Sequence, residues 1–135
     1  MIRSFGIAIA VVTLSACATG AGVDKRPLNS GTSRDYQAPA AKVSAAAKAT
    51  LATLPVSVTG ERVEAGSTVY NFVKSVTAFS WGEVGRVVVT PKGEPAASVF
   101  VDTEKRSQMQ ITGTSEAQFS AKIFDCITAE LARTL

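Results

Sequence analysis

The chain has 135 residues, of which 46% are hydrophobic and 19% charged, with a formal net charge of +3. This length suits one domain rather than two, and the scattered lysines and arginines exclude the concentrated basic surface of a nucleic-acid-binding protein. The two cysteines are accompanied by no histidine. The commonest general base and metal ligand is therefore missing, and no Ser-His or Cys-His nucleophile pair can form.

The first 17 residues have the features of a secretory signal. Arg3 supplies one positive charge before the apolar run FGIAIAVVTL at Phe5–Leu14, which is shorter than the roughly 20 apolar residues of a transmembrane helix. A basic start, a short apolar stretch and a small-residue exit are typical of a signal peptide. The exit reads Leu14-Ser15-Ala16-Cys17 and resembles the lipobox of bacterial lipoproteins. The resemblance implies lipid attachment to Cys17 and cleavage between Ala16 and Cys17.

The residue after the cysteine bears on the membrane that receives the protein. In lipoproteins of Gram-negative bacteria, an aspartate at this position favours retention at the inner membrane, whereas this chain has Ala18. The resemblance therefore implies a protein anchored through lipid on Cys17 in the outer membrane, facing the periplasm. The Gram type of the source, and with it the choice of membrane, stays open.

Residues 18–37 (ATGAGVDKRPLNSGTSRDYQ) are rich in glycine and polar residues and show no apolar period. This composition predicts a flexible tether, with Leu28 and Tyr36 as its only larger apolar residues. The sequence thus divides into a signal peptide at 1–16, a lipidated cysteine with its tether at 17–37, and a single domain at 38–135.

Residues 39–54 (PAAKVSAAAKATLATL) predict the first helix of the domain. Alanine is the best helix former, Pro39 suits the start of a helix, and Pro55 ends it. One apolar face follows from spacings of three and four residues. Its members are Val43, Ala46, Ala47, Thr50, Leu51 and Leu54.

From residue 56 to residue 112, β-branched residues alternate with turn signals. The predicted strands are Val56–Val63, Thr68–Val76, Glu83–Thr90, Ala96–Asp102 and Ser107–Thr112. Hairpin turns are expected at residues 64–67 and 91–94. Val99 and Val101 point to one side of the sheet while Ser98 and Asp102 point to the other. This alternation predicts an antiparallel sheet with one dry face and one wet face.

Residues 115–133 return to helical spacing. Ser115 and Gln118 match a capping box, and one apolar face follows it. Its members are Phe119, Ile123, Cys126, Ile127 and Leu131. The sequence therefore predicts an α+β domain: an antiparallel sheet of four to five strands with an N-terminal and a C-terminal helix packed on one face.

Three short motifs resemble a recurring type of small bacterial envelope domain. They are Ser80-Trp81-Gly82-Glu83, the strand Val99–Asp102 and the segment Ile111-Thr112-Gly113-Thr114. The likeness spans residues 68–131, and families of this type largely lack an assigned function, so it implies a fold and a compartment rather than an activity. The layout is also similar to helix-and-sheet lipoprotein domains of outer-membrane protein assembly, by analogy alone.

Three side chains are candidates for contact with a partner or for thiol chemistry. Trp81, the only tryptophan, and the nearby Phe79 either contact a partner or close one end of the core. Cys126 would be a lone thiol once Cys17 is lipidated, and its place on the apolar helix face favours burial as a small hydrophobe.

Charged residues of the strand region give no catalytic pattern. A glycosidase needs two carboxylates held across a cleft, and no spacing selects a pair from Glu61, Glu64, Glu83, Glu94 and Asp102. The run Glu104-Lys105-Arg106 is expected to be a solvated turn. No cofactor or metal site is predicted.

The sequence therefore favours a non-catalytic, lipid-anchored envelope protein that binds another envelope protein or a glycan. One route is the addition of a partner's strand to an exposed edge of the sheet. The alternatives are a structural accessory subunit of an envelope assembly or secretion complex, and a hydrolase. Membrane and envelope partners are expected, and a nucleic acid is not.

Overall fold

A computed structural model describes residues 20–74, 82–105 and 116–134 of the chain. In chain order the elements are α1 (Gly20–Asp24), β1 (Thr32–Tyr36), α2 (Ala40–Thr53), β2 (Val56–Glu64), β3 (Ser67–Lys74), β4 (Glu83–Pro91), β5 (Ala97–Lys105) and α3 (Glu116–Arg133). The protein has an α+β fold with a five-stranded antiparallel sheet, as predicted. The predicted strand Ser107–Thr112 and the capping residue Ser115 lie outside the described residues.

The sheet has the strand order β1-β5-β4-β3-β2, so the four later strands form a meander and β1 lies beside β5. Both predicted hairpin turns are present. Between β2 and β3, Ala65 and Gly66 have positive φ angles of 49° and 79°, the conformation that a two-residue turn between twisted strands requires. Between β4 and β5, the amide of Lys92 donates to the carbonyl of Ala96.

Helices α2 and α3 cover one face of the sheet, which we call the helix face. Helix α2 buries the predicted residues Val43, Ala46, Ala47, Thr50 and Leu51. Helix α3 buries Phe119, Ile123 and Ile127. They meet alternate strand residues, including Tyr70 and Phe72 of β3, Val87 and Val89 of β4, and Val99 and Val101 of β5. The two-residue period of the strands and the helical period of α2 and α3 thus converge on one core.

The prediction of a flexible tether at residues 17–37 is wrong for the described part of that segment. Helix α1 packs against the sheet with Val23 fully buried, and β1 pairs with β5 from Thr32 opposite Val101 to Tyr36 opposite Ala97. The sequence hid both elements because α1 is a single turn that contains two glycines, and four of the five residues of β1 are polar.

The expectation of a wet second face is also wrong. Ser98 and Asp102 do point away from the helix face, but both are buried. They are covered by β1 and by residues 20–31. We call this segment, which runs from α1 to Gly31, the arm. Buried polar groups are stable where they are paired, and the arm supplies partners for the face that it covers.

Strand β1 also explains one core residue that sequence periodicity did not select. Phe124 lies beside the predicted apolar face of α3 yet is buried. Arg34 of β1 lies over its ring, 5.0 Å from the centroid, and the Tyr36 hydroxyl donates to its carbonyl at 2.9 Å. Strand β1 therefore widens the core beyond the four strands of the meander.

Candidate binding surface

The contact and processing residues that the sequence selected lie outside the part of the chain that the structure describes. These residues are Ala16, Cys17, Phe79 and Trp81. Their roles stay predictions. The described residues offer three candidate features: an open strand edge, a groove between the helices and a partly buried cluster of charges.

The outer edge of β2 is open, because no strand within the described residues pairs with it. Two large apolar side chains on this strand are exposed, Val58 by 45% and Val63 by 76%. Val58 is paired with Phe72 and Val63 with Thr68, so both project on the helix face. The strand thus offers unpaired main-chain groups beside an apolar side chain near each end.

Strand β2 is locally irregular and is tied to helix α2. The register shifts between Val58 and Gly60, a bulge that leaves Gly60–Glu64 as the regular part of the edge. Glu61 accepts a hydrogen bond from Lys48 of α2 at 2.9 Å. That bond raises the pKa of Lys48, and the carboxylate charge adds to the effect. The contact between Lys48 and Glu61 therefore fixes the edge strand β2 beside α2.

The opposite edge, strand β1, has a different surface. Arg34 donates to Asp125 at 2.9 Å, and Asp35 accepts hydrogen bonds from Lys92 and Ser98. The bond from Lys92, followed by the bond from Ser98, lowers the pKa of Asp35. Charged side chains on a short strand discourage pairing with another chain. Strand β2 also carries charged side chains, but it has nine residues against five in β1 and exposes Val58 and Val63, so it is the better acceptor for a partner strand.

A second surface feature is a groove of about 270 Å³ between α2 and α3. Its lining consists of Lys42, Ala45, Ala46, Ala49, Glu130 and Thr134. Small side chains leave this space, with Lys42 and Glu130 supplying opposite charges at its rim. The groove could hold an apolar side chain of a partner, but it offers no main-chain groups for pairing.

The third feature is a cluster of charges between the arm and the sheet, formed by Arg26, Arg86, Asp102 and Glu104, which we call the charged cluster. Arg86 lies in the centre of β4 and is fully buried. One of its terminal nitrogens, Nη2, donates to the carbonyl oxygens of Arg26 at 2.9 Å and Pro27 at 2.5 Å. Arg26 in turn donates to Asp102 at 2.7 Å and to Glu104 at 2.8 Å.

A neighbouring group links α1 to strands β2 and β3. Asp24 accepts hydrogen bonds from Asn71 at 2.8 Å and from Arg62 at 2.9 Å. Partial burial raises the pKa of Asp24, but these two bonds and the charges of Arg62 and Arg86 outweigh that effect and lower it overall. The arm is therefore bound to the sheet through two charged side chains at and just beyond the C-terminal end of α1, Asp24 and Arg26.

The positions of four of the five strand carboxylates argue against a shared catalytic site. Glu61 pairs with Lys48, Glu64 with Arg62 and Asp102 with Arg26, and Glu94 lies in the β4–β5 hairpin. The fifth, Glu83, is buried, and within the described residues neither of its carboxylate oxygens has a hydrogen bond. It lies on the helix face, whereas Asp102 lies on the face under the arm. The two buried carboxylates therefore do not converge.

The predicted solvated turn at residues 104–106 is wrong for its described part. Glu104 and Lys105 are the last residues of β5 and are half-buried, and Glu104 accepts a hydrogen bond from Arg26 of the arm. Arg106 lies outside the described residues. Arg86 was missed as well, although a charge within the apolar strand Val-Gly-Arg-Val-Val-Val was a signal for a buried partner.

Cys126 is less buried than predicted. It is half-exposed on α3, because the buried face of that helix is centred on Phe119, Ile123, Phe124 and Ile127. Among residues 20–74, 82–105 and 116–134, no group of three or more His, Cys, Asp or Glu side chains could hold a metal ion. Within the same residues, no helix is long and apolar enough to cross a membrane.

Comparison with known proteins assigns the chain to no family. No protein-family model matches the chain, and no curated protein matches it.

Proposed function

We propose that this chain is a lipid-anchored cell-envelope protein whose domain binds another envelope protein through the open edge of β2. The signal-like N-terminus and the Leu14-Ser15-Ala16-Cys17 motif support the anchoring part of the proposal. The observation that supports the binding part is the nine-residue edge strand Val56–Glu64 with Val58 and Val63 exposed on it.

Strand addition suits this edge for a physical reason. An incoming extended segment pairs its main-chain groups with those of the edge strand, and alternate side chains supply specificity. Because Val58 and Val63 lie on the helix face beside α2, an added strand would place its own apolar side chains next to them. The main-chain pairing favours a protein partner over a glycan.

Photocrosslinking in intact cells tests the proposal. A photoreactive amino acid at Val63 should give a discrete crosslinked product. The same group at Glu94, in the β4–β5 hairpin, serves as the matched control and should not. With the reactive group kept at Val63, the change Val58→Lys should lower the yield several-fold, because a charge beside the pairing edge disfavours an apolar partner strand.

Two results would contradict the proposal. Equal products at Val63 and Glu94 would show contact without a preferred surface. A product at Ala45, with none at Val63, would place the partner in the groove between α2 and α3.

A further inference from the structure

The arm begins very close to the proposed lipid site. Only Ala18 and Thr19 separate Cys17 from Gly20, the first residue of α1. Consecutive Cα atoms are 3.8 Å apart across a trans peptide, so three links span at most about 11 Å in any conformation. Whatever holds α1 to the sheet therefore also sets how far the sheet can be from a lipid on Cys17.

Three side chains in the middle of the arm hold it to the sheet. Val23 is fully buried, Asp24 is bonded to Asn71 and Arg62, and Arg26 is bonded to two carboxylates of β5. These contacts join the arm to strands β2, β3 and β5. A segment fixed by an apolar side chain and two groups of charges is part of the domain rather than a linker.

The sheet also contacts the backbone of the arm. The buried guanidinium of Arg86 donates to the carbonyls of Arg26 and Pro27, so it would lose both partners if the arm moved away. At the end of the arm, Gly31 has a φ of +87°, and a Cβ atom there would come within 2.1 Å of the Val101 carbonyl oxygen. Only glycine permits this approach of the arm to β5.

From these contacts we infer that a lipid bilayer surface is the partner of the arm side of the domain, against which the fastened arm holds the sheet. The inference rests on the proposed lipid anchoring at Cys17. With the arm fastened, at most about 11 Å of free chain separates the lipidated residue from the domain. A released arm would leave 15 links between Cys17 and Thr32, with a root-mean-square span of about 20 Å.

Neutron reflectometry on supported bilayers of phosphatidylethanolamine and phosphatidylglycerol measures this separation directly as the water layer between head groups and protein. The lipidated protein that begins at Cys17 should show a layer thinner than about 11 Å. The double variant Asp24→Ala/Arg26→Ala removes the charged contacts on the arm and leaves the sheet residues intact. It should widen the layer about two-fold.

Two controls accompany this comparison. Lys92→Ala breaks a surface ion pair away from the arm and should leave the layer unchanged. Faster tryptic cleavage after Lys25 reports release of the arm, and Val23→Ser is added to the double variant if that bond stays protected. Circular dichroism confirms that the sheet and the helices persist.

The outcomes separate the inference from the proposal beneath it. A wide layer for the wild-type protein, or an equal layer after the arm has been released, would overturn the inference while leaving lipid anchoring intact. Mass spectrometry that shows no lipid on Cys17 would overturn the anchoring and, with it, the inference.

Discussion

Arg86 of β4 and Asp102 of β5 occupy opposed positions in neighbouring strands, with 3.9 Å between Arg86 Nη2 and Asp102 Oδ2. Both residues are buried, and Arg26 from the arm binds the other carboxylate oxygen at 2.7 Å. The carboxylate of Asp102 therefore lies between two guanidinium groups. One belongs to the sheet and the other to the arm, so this carboxylate joins the two parts of the domain.

The first prediction concerns Asp102. Asp102→Asn removes the negative charge and leaves the buried Arg86 without a nearby carboxylate, so the free energy of unfolding should fall by about 3 kcal/mol. Urea denaturation measures the change. Lys92→Ala, which breaks the exposed pair with Asp35, should cost under about 1 kcal/mol. Similar losses in the two variants would contradict the buried charge pair.

The second prediction compares two glycines of the sheet. A Cβ atom at Gly85 would lie 2.6 Å from the ring of Phe72 and 2.9 Å from the Asp102 carbonyl oxygen. Gly85→Ala should therefore destabilise the domain by about 2 kcal/mol through overpacking. At Gly60 the nearest atom would be 3.9 Å away, so Gly60→Ala should change stability by under about 0.5 kcal/mol. Thermal unfolding of both variants checks the difference.

The third prediction is a pH dependence of the contacts of Asp24. Because its pKa is lower in the folded protein than the usual 3.8, the stability that its charge contributes is complete above about pH 4 and is lost as the pH falls through the folded pKa. The side chain is 37% exposed, and solvent screening limits the effect. Asp24→Asn should therefore lower the melting temperature by only about 2 °C at pH 7.

The difference in melting temperature between the wild-type protein and Asp24→Asn should narrow as the pH falls from 4 to 2, because the wild-type carboxyl group becomes increasingly protonated. Glu94→Gln, in the exposed β4–β5 hairpin, is the control for a general effect of removing one negative charge. A gap between the wild type and Asp24→Asn that is as large at pH 2 as at pH 7 would argue against an electrostatic role for Asp24.

The fourth prediction concerns the proposed anchor. Cys17→Ser removes the sulfur that would accept lipid, so the protein should move from the membrane fraction to the soluble fraction and stop incorporating labelled palmitate. Cys126→Ser is the matched control because it removes the other cysteine, and it should leave both measurements unchanged. Persistent membrane association of the Cys17→Ser protein would refute anchoring through this residue.

Periodicity was sufficient to predict the elements that build the helix face. Helix α2 shows it clearly: Val43, Ala47 and Leu51 recur at helical spacing and are buried together. The strands β2 to β5 likewise begin within one residue of their predicted starts. Each of these elements contributes an apolar stripe to a common core, and such a stripe is visible in one segment at a time.

The elements that were missed depend on partners distant in sequence. Strand β1 is polar and is stabilised by its pairing with β5, and α1 is held by Val23 and by the bonds of Asp24 to Arg62 and Asn71. Arg26 and Asp102 are 76 positions apart, so no local pattern joins them. Burial of charge on the second face follows from the tertiary structure, because only the folded chain brings the compensating groups together.

The position of β1 has a mechanical consequence. The sheet begins at β1, which follows the arm, and ends at β2, where we propose that a partner adds its strand. Once the contacts of the arm with the other strands have broken, a pull between membrane and partner would therefore run across the strands and load every ladder of the sheet in series. Among the described strands, β1–β5 is the shortest ladder, so under tension the sheet would part there first, with the strands from β5 to β2 still joined to the partner.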